Sequence, residues 1–100
     1  MTDLGIASSV RGTPIRLTAE RWQHIVGRHP ELEGRASEVL AVVERPDQIQ
    51  RGDFGTLLAV RMVDDLYLAV IYRETGPSDG FVVTAYLGRR LRKREVIWKP

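Results

Sequence analysis

His24 and Arg28 stand four residues apart, the spacing that puts two side chains on one helix face. Trp22 falls roughly opposite, so His24 is read as exposed or turned into a cleft, not packed with the aromatic. Imidazole titrates nearest neutrality of all side chains, which makes His24 a candidate proton acceptor. A plain surface histidine is the alternative. His29 lies beside Ile25 on the apolar side and is expected to close the helix ahead of Pro30. With two histidines and no cysteine, and no helix-face pair of carboxylates, a dedicated metal site is not expected. No cofactor is expected either: the chain has no phosphate-cradling P-loop and no dinucleotide fingerprint. Ser8, Ser9, Ser37 and Ser78 sit in a lead-in, a helix and a loop, none on the strained turn that exposes a nucleophilic serine.

A second group of candidates lies on strands. Suppose helices cover the face bearing Leu58, Val60, Met62, Leu68, Val70, Phe81, Val83, Ala85 and Leu87. Strict alternation then gathers Arg61, Tyr67, Arg73, Thr84 and Tyr86 on the other face. A solvated sheet face is the competing reading, since Arg, Tyr and Thr sit readily on strands. A third group is the run Arg89-Arg90-Leu91-Arg92-Lys93-Arg94, either a solvated surface or a rim that tracks phosphates. Tyr67, Tyr72, Tyr86 and Trp98 are aromatics that could stack bases.

The charge pattern favours the same end of the chain. Residues 1–50 hold six basic and seven acidic groups, net −1, whereas residues 51–100 hold nine and six, net +3. Of the 15 basic residues 13 are arginine, whose planar fork can bond one phosphate twice. Base-composition bias explains the arginines equally well.

These residues need elements to hold them. One hundred residues, 43% hydrophobic and 28% charged, suit one globular domain over 1–100. Residues 1–12 have little periodicity and are expected to be a loose lead-in. Thr13 to Leu17 could be a short extended piece. Thr18 stands where an N-cap belongs, with Glu20 in the first turn. The helix it opens should end near Arg28 or His29. A second helix fits Gly34 to Glu44, with Ala36, Val39, Leu40 and Val43 as its buried stripe. From Thr56 the pattern changes to period two, giving strands Thr56–Val63, Leu66–Arg73 and Phe81–Leu87. Asp64-Asp65 is a tight-turn candidate between the first two, and Gly76 to Gly80 is a loop. Glu95 to Trp98 makes a last edge strand and Ile49 to Arg51 a short first one. The expected fold is α+β: two N-terminal helices packed on one face of a four- to five-stranded antiparallel sheet.

The longest apolar stretch is the seven residues Leu66 to Tyr72, so no membrane partner is expected. The N-terminus shows no basic region followed by an apolar segment, and no signal peptide is expected. The expected location is the cytoplasm, or a target cell's cytoplasm for a delivered toxin module.

The block Leu17 to Leu32, with its Arg21-Trp22-Gln23-His24 and Gly27-Arg28-His29-Pro30-Glu31, resembles the opening of the phage-associated barnase–EndoU–colicin–RelE-like nucleases. Later pieces match in order: Pro46-Asp47-Gln48-Ile49, Leu58-Ala59-Val60-Arg61, Val70-Ile71-Tyr72-Arg73, the segment Gly80 to Leu87, and Val96-Ile97-Trp98. The resemblance spans residues 15–98. It implies metal-independent RNA cleavage, with active groups from the first helix and the open sheet face. His24 matches the helix histidine, Arg61 and Arg73 the basic strand positions, and Thr84 and Tyr86 the polar positions of the last long strand.

On that resemblance the expected mechanism is endoribonucleolytic. His24 removes the proton of a ribose 2′-hydroxyl, which attacks the phosphorus and leaves a 2′,3′-cyclic phosphate. Arg61 and Arg73 hold the phosphate, Thr84 places a non-bridging oxygen, and Tyr86 or His29 protonates the leaving oxygen. Arg28, Tyr67, Tyr72, Arg89 and Arg90 complete the expected RNA contacts, and an active ribonuclease implies an antitoxin or immunity partner. The alternative is a catalytically inactive RNA- or protein-binding module on the same scaffold.

Overall fold

Thr18 caps the first helix as its position predicts. Its backbone is extended, and its Oγ1 accepts the Arg21 N–H at 3.1 Å. In the computed structural model, which describes residues 3–100, helix α1 runs Ala19–Arg28. His29 leaves helical geometry ahead of Pro30 while its N–H still bonds Ile25 O at 2.7 Å, so the predicted stop falls where the chain places it. A single 3-10 turn, Pro30–Leu32, leads to α2, Ala36–Glu44. Val39, Val42 and Val43 are its buried residues, with Ala36 and Leu40 packed partly against the core.

The strands are β1 (Asp3–Ser8), β2 (Pro14–Thr18), β3 (Gln48–Arg51), β4 (Leu57–Val63), β5 (Leu66–Gly76), β6 (Asp79–Gly88) and β7 (Val96–Trp98). Among the described residues they form one seven-stranded sheet in the order β1-β2-β6-β5-β4-β3-β7. β2 runs parallel to β6, and the other neighbours are antiparallel. The expected four- to five-stranded antiparallel sheet is therefore overturned: the sheet has seven strands and is mixed.

Of the added strands, β1 comes from the stretch expected to be loose, and β2 from the short extended piece expected at Thr13 to Leu17. β1 and β2 form a hairpin closed by Ser9 N–H to Thr13 O at 2.9 Å, with Gly12 at φ 84° supplying the left-handed residue. β1 escaped the alternation signal because its helix-facing side is Gly5 and Ala7. A Cβ on Gly5 would stand 2.6 Å from Leu40 Cδ1, so only a bare backbone lets α2 sit this close. Leu4 and Ile6 are left exposed instead. Pro14 is tolerated as the first residue of its strand. Helix α2 touches β1 as well as β4 and β5, so the sheet curls around it.

One face of the sheet carries the main core. Ala7, Ile15, Leu17, Ala59, Leu68 and Val70 pack there against Ile25, Leu32 and Val39 from the helical layer. Burying such side chains from water contributes about 25 cal/mol per Å² of apolar surface, the main favourable term for a chain of this size.

Candidate nucleic-acid interface

Register decides which polar groups meet. Asp64 and Asp65 both adopt positive φ, 52° and 63°, the two-residue hairpin turn that matches strand twist. Val63 therefore opposes Leu66, Arg61 opposes Leu68, and Ala59 opposes Val70. Opposed residues share a face, so Leu57, Ala59, Arg61 and Val63 turn toward the helices. Leu58, Val60 and Met62 turn away, the reverse of the expected assignment for this strand.

In β6 the alternation breaks at a bulge. Tyr72 pairs with Val82 but Ile71 pairs with Thr84, leaving Val83 unopposed. Val82 joins the core under the helices, not Phe81 and Val83 as expected. Ala85 keeps its expected place, and Thr84 and Tyr86 face away from the helices.

Arg61 thus parts from Arg73. Its Nη1 donates to Arg45 O at 3.2 Å, at the C-terminal cap of α2, where a guanidinium also complements the helix dipole. Tyr72, expected as a base-stacking aromatic, is buried in the core at 1% exposure. Burial pushes its phenol up to about 12, with the Glu74 charge adding to the effect. His24 is exposed on α1, in a shallow dip with Glu20 and Arg21. The helical layer separates it from the face that carries Arg73, Thr84 and Tyr86. Arg28 is exposed in the last turn of α1, and His29 Nδ1 lies 3.5 Å from Glu31 Oε2.

The sheet's second face has a small core of its own, Leu58, Val60 and Ala69, with Tyr67, Ile71 and Tyr86 packed against it. The basic run is not a free rim. After β6 it crosses this face toward the far edge, where β7 pairs with β3. Leu91 seats it on the small core. Arg94 then locks it to the 3-10 turn Asp53–Gly55: Nη1 and Nη2 donate to Asp53 Oδ1 and Oδ2 at 3.0 and 3.3 Å. That hydrogen bonding, and then the positive charge, holds the Asp53 carboxyl below its ordinary range. Arg51 adds Nε to Glu95 Oε1 at 2.9 Å. Arg89, Arg90, Arg92 and Lys93 remain exposed on the crossing.

Between this crossing and the turn lies a cleft of about 420 Å³. Leu58 and Ile71 line it with apolar surface; Tyr86, Arg92 and Arg94 contribute polar groups. At its edge stands Phe54, 92% exposed and left-handed at φ 55°, a conformation that costs a bulky residue about 1–3 kcal/mol. A Cβ on Gly55 would stand 3.2 Å from Arg73 Nη1, so the Arg73 guanidinium lies against the same turn. Phe54 and Asp53 were not singled out from the sequence, and Arg92 and Arg94 stood there only as members of the basic run. The signal that could have found Phe54 is an aromatic between Asp and Gly in a turn, where burial has no use for it.

The face is positive where the helical layer is not. Residues 19–44 hold three basic and five acidic residues, net −2, whereas residues 89–94 hold five basic residues and no acid. Among the described residues no three His, Cys, Asp or Glu side chains gather as metal ligands, and no helix is long and apolar enough to cross a membrane.

The chain matches no family model, no curated protein and no solved structure with which it was compared. The likeness to barnase–EndoU–colicin–RelE-like nucleases rests on the sequence motifs alone.

Proposed function

We propose that this protein is a cytoplasmic module that binds single-stranded RNA on the sheet face away from its helices. The observation that carries the reading is the convergence of Phe54, Tyr86, Arg92 and Arg94 on one apolar-floored cleft, with the Arg73 guanidinium against the turn that carries Phe54. Aromatic surface for bases beside guanidinium groups for phosphates is the combination single-strand binders use. A cleft takes an unstacked base, which single strands present and duplexes do not.

Between the two readings of the sequence, the geometry favours binding over cleavage. Proton transfer at a ribose 2′-hydroxyl asks for a group titrating near neutrality within hydrogen-bond reach. No histidine lines this cleft among the described residues, and Asp53 is committed to Arg94. His24 is on the other side of the sheet.

The test is fluorescence anisotropy of a labelled oligouridine across a salt series, with product integrity followed on a gel in EDTA. Wild type should bind, with affinity falling as salt rises, and Arg92→Ala should bind several-fold more weakly with a shallower salt slope. The RNA should stay intact. RNA cleaved by wild type and spared by His24→Ala would overturn this reading in favour of the endoribonuclease.

A further inference from the structure

We propose that the cleft beside Phe54 holds one unstacked nucleobase, its ring against the Phe54 phenyl and its flanking phosphates on Arg73 and Arg92. This inference rests on the RNA reading above and names the part of the strand that the cleft takes. Folding alone gives no reason for this phenylalanine. The residue accepts a left-handed backbone that glycine or asparagine would adopt more cheaply, yet its side chain gains no burial in return. Both flanks are fixed. Asp53 is bonded twice to Arg94, and Gly55, at φ 79°, sits against Arg73. The backbone that carries the phenyl is thus held in place, and the ring stands as a flat surface in water.

The space beside it suits a base. At about 420 Å³ the cleft falls in the range of small-molecule sites. Its apolar part, Leu58 and Ile71, is what a ring face covers, and Tyr86 adds a second aromatic. Arg94 also lines the cleft, its guanidinium held in place on Asp53. Cationic groups are at hand: Arg92 lines this space, and Arg73 lies against the turn that carries Phe54. A neutral aromatic ligand would leave those charges unused, whereas a nucleotide uses the apolar surface and the cations together.

The experiment compares a labelled oligouridine with an abasic ribose–phosphate strand of the same length, on wild type, Phe54→Ala and Phe54→Trp. The abasic strand keeps each phosphate and loses each ring. Wild type should prefer the intact strand by about 10-fold, the size of one base–aromatic stack. Phe54→Ala should bind the two strands alike, near the abasic affinity, and Phe54→Trp should restore the preference. Phe54 is exposed, so neither change threatens folding. Equal binding of both strands by wild type, or a preference that survives Phe54→Ala, would overturn the subsite while leaving RNA binding intact. Failure of wild type to bind either strand would overturn the RNA reading itself.

Discussion

Arg94 grips Asp53 through both terminal guanidinium nitrogens, at 3.0 and 3.3 Å, and so fastens the last crossing of the chain to the turn between β3 and β4. The pair closes one end of the cleft, and removing it should free both the turn and the crossing. The Asp53 carboxyl titrates below its ordinary value in the folded chain, first through the Arg94 hydrogen bond and then through its charge. A carboxyl with a lowered folded pKa stabilises the fold above its unfolded pKa. That contribution is lost as pH falls through the folded value. Thermal unfolding of wild type and Asp53→Asn should therefore differ near neutral pH and converge in acid. A gap that persists unchanged into acid would show that the pair does not act through this charge.

Arg61 is expected to act on the helix, not on RNA. Truncation to alanine removes the donor to Arg45 O and should lower stability by about 1 kcal/mol in urea unfolding. Oligouridine affinity should stay within twofold of wild type. A large loss of RNA affinity with unchanged stability would return Arg61 to the site.

Tyr72 supplies a titration with the opposite sign. Its phenol is pushed up to about 12 by burial, so folding is supported fully below the ordinary phenol value, about 10. That support is lost as pH climbs toward the folded value. Phenolate absorbance should show a tyrosine that ionises only as the chain unfolds in strong alkali. Tyr72→Phe should flatten the fall in stability between about pH 10 and 12.

Much of the fold could be read from residue spacing, and the misreadings have identifiable causes. Thr18, Pro30 and the stripe through Val39 and Val43 mark the two helices because caps and periodicity act locally. The faces of β4 and β5 were legible too. A two-residue turn at Asp64-Asp65 forces Arg61 opposite Leu68, and so under the helices. Assigning each strand's face by its own hydrophobicity hid this, because Leu57, Ala59 and Val63 are as apolar as Leu58, Val60 and Met62. The bulge at Val83 was not legible, since Val82 and Val83 are the same residue type and only pairing with β5 distinguishes them. β1 went unseen because contact with α2 demands Gly5 and Ala7, residues that carry no strand signal. Of the expected site, Arg73, Thr84 and Tyr86 do share a face. His24 and Arg61 do not join them, and no local pattern shows on which side of a sheet a helix will lie.

The central claim is where RNA touches the protein, and the most direct measurement is amide chemical-shift mapping on the isotopically labelled chain titrated with oligouridine. The account predicts shifts concentrated in residues 52–56, at Arg73 and Tyr86, and along residues 89–95, with α1 unmoved. Shifts centred on α1 around His24, with the Phe54 turn silent, would contradict it.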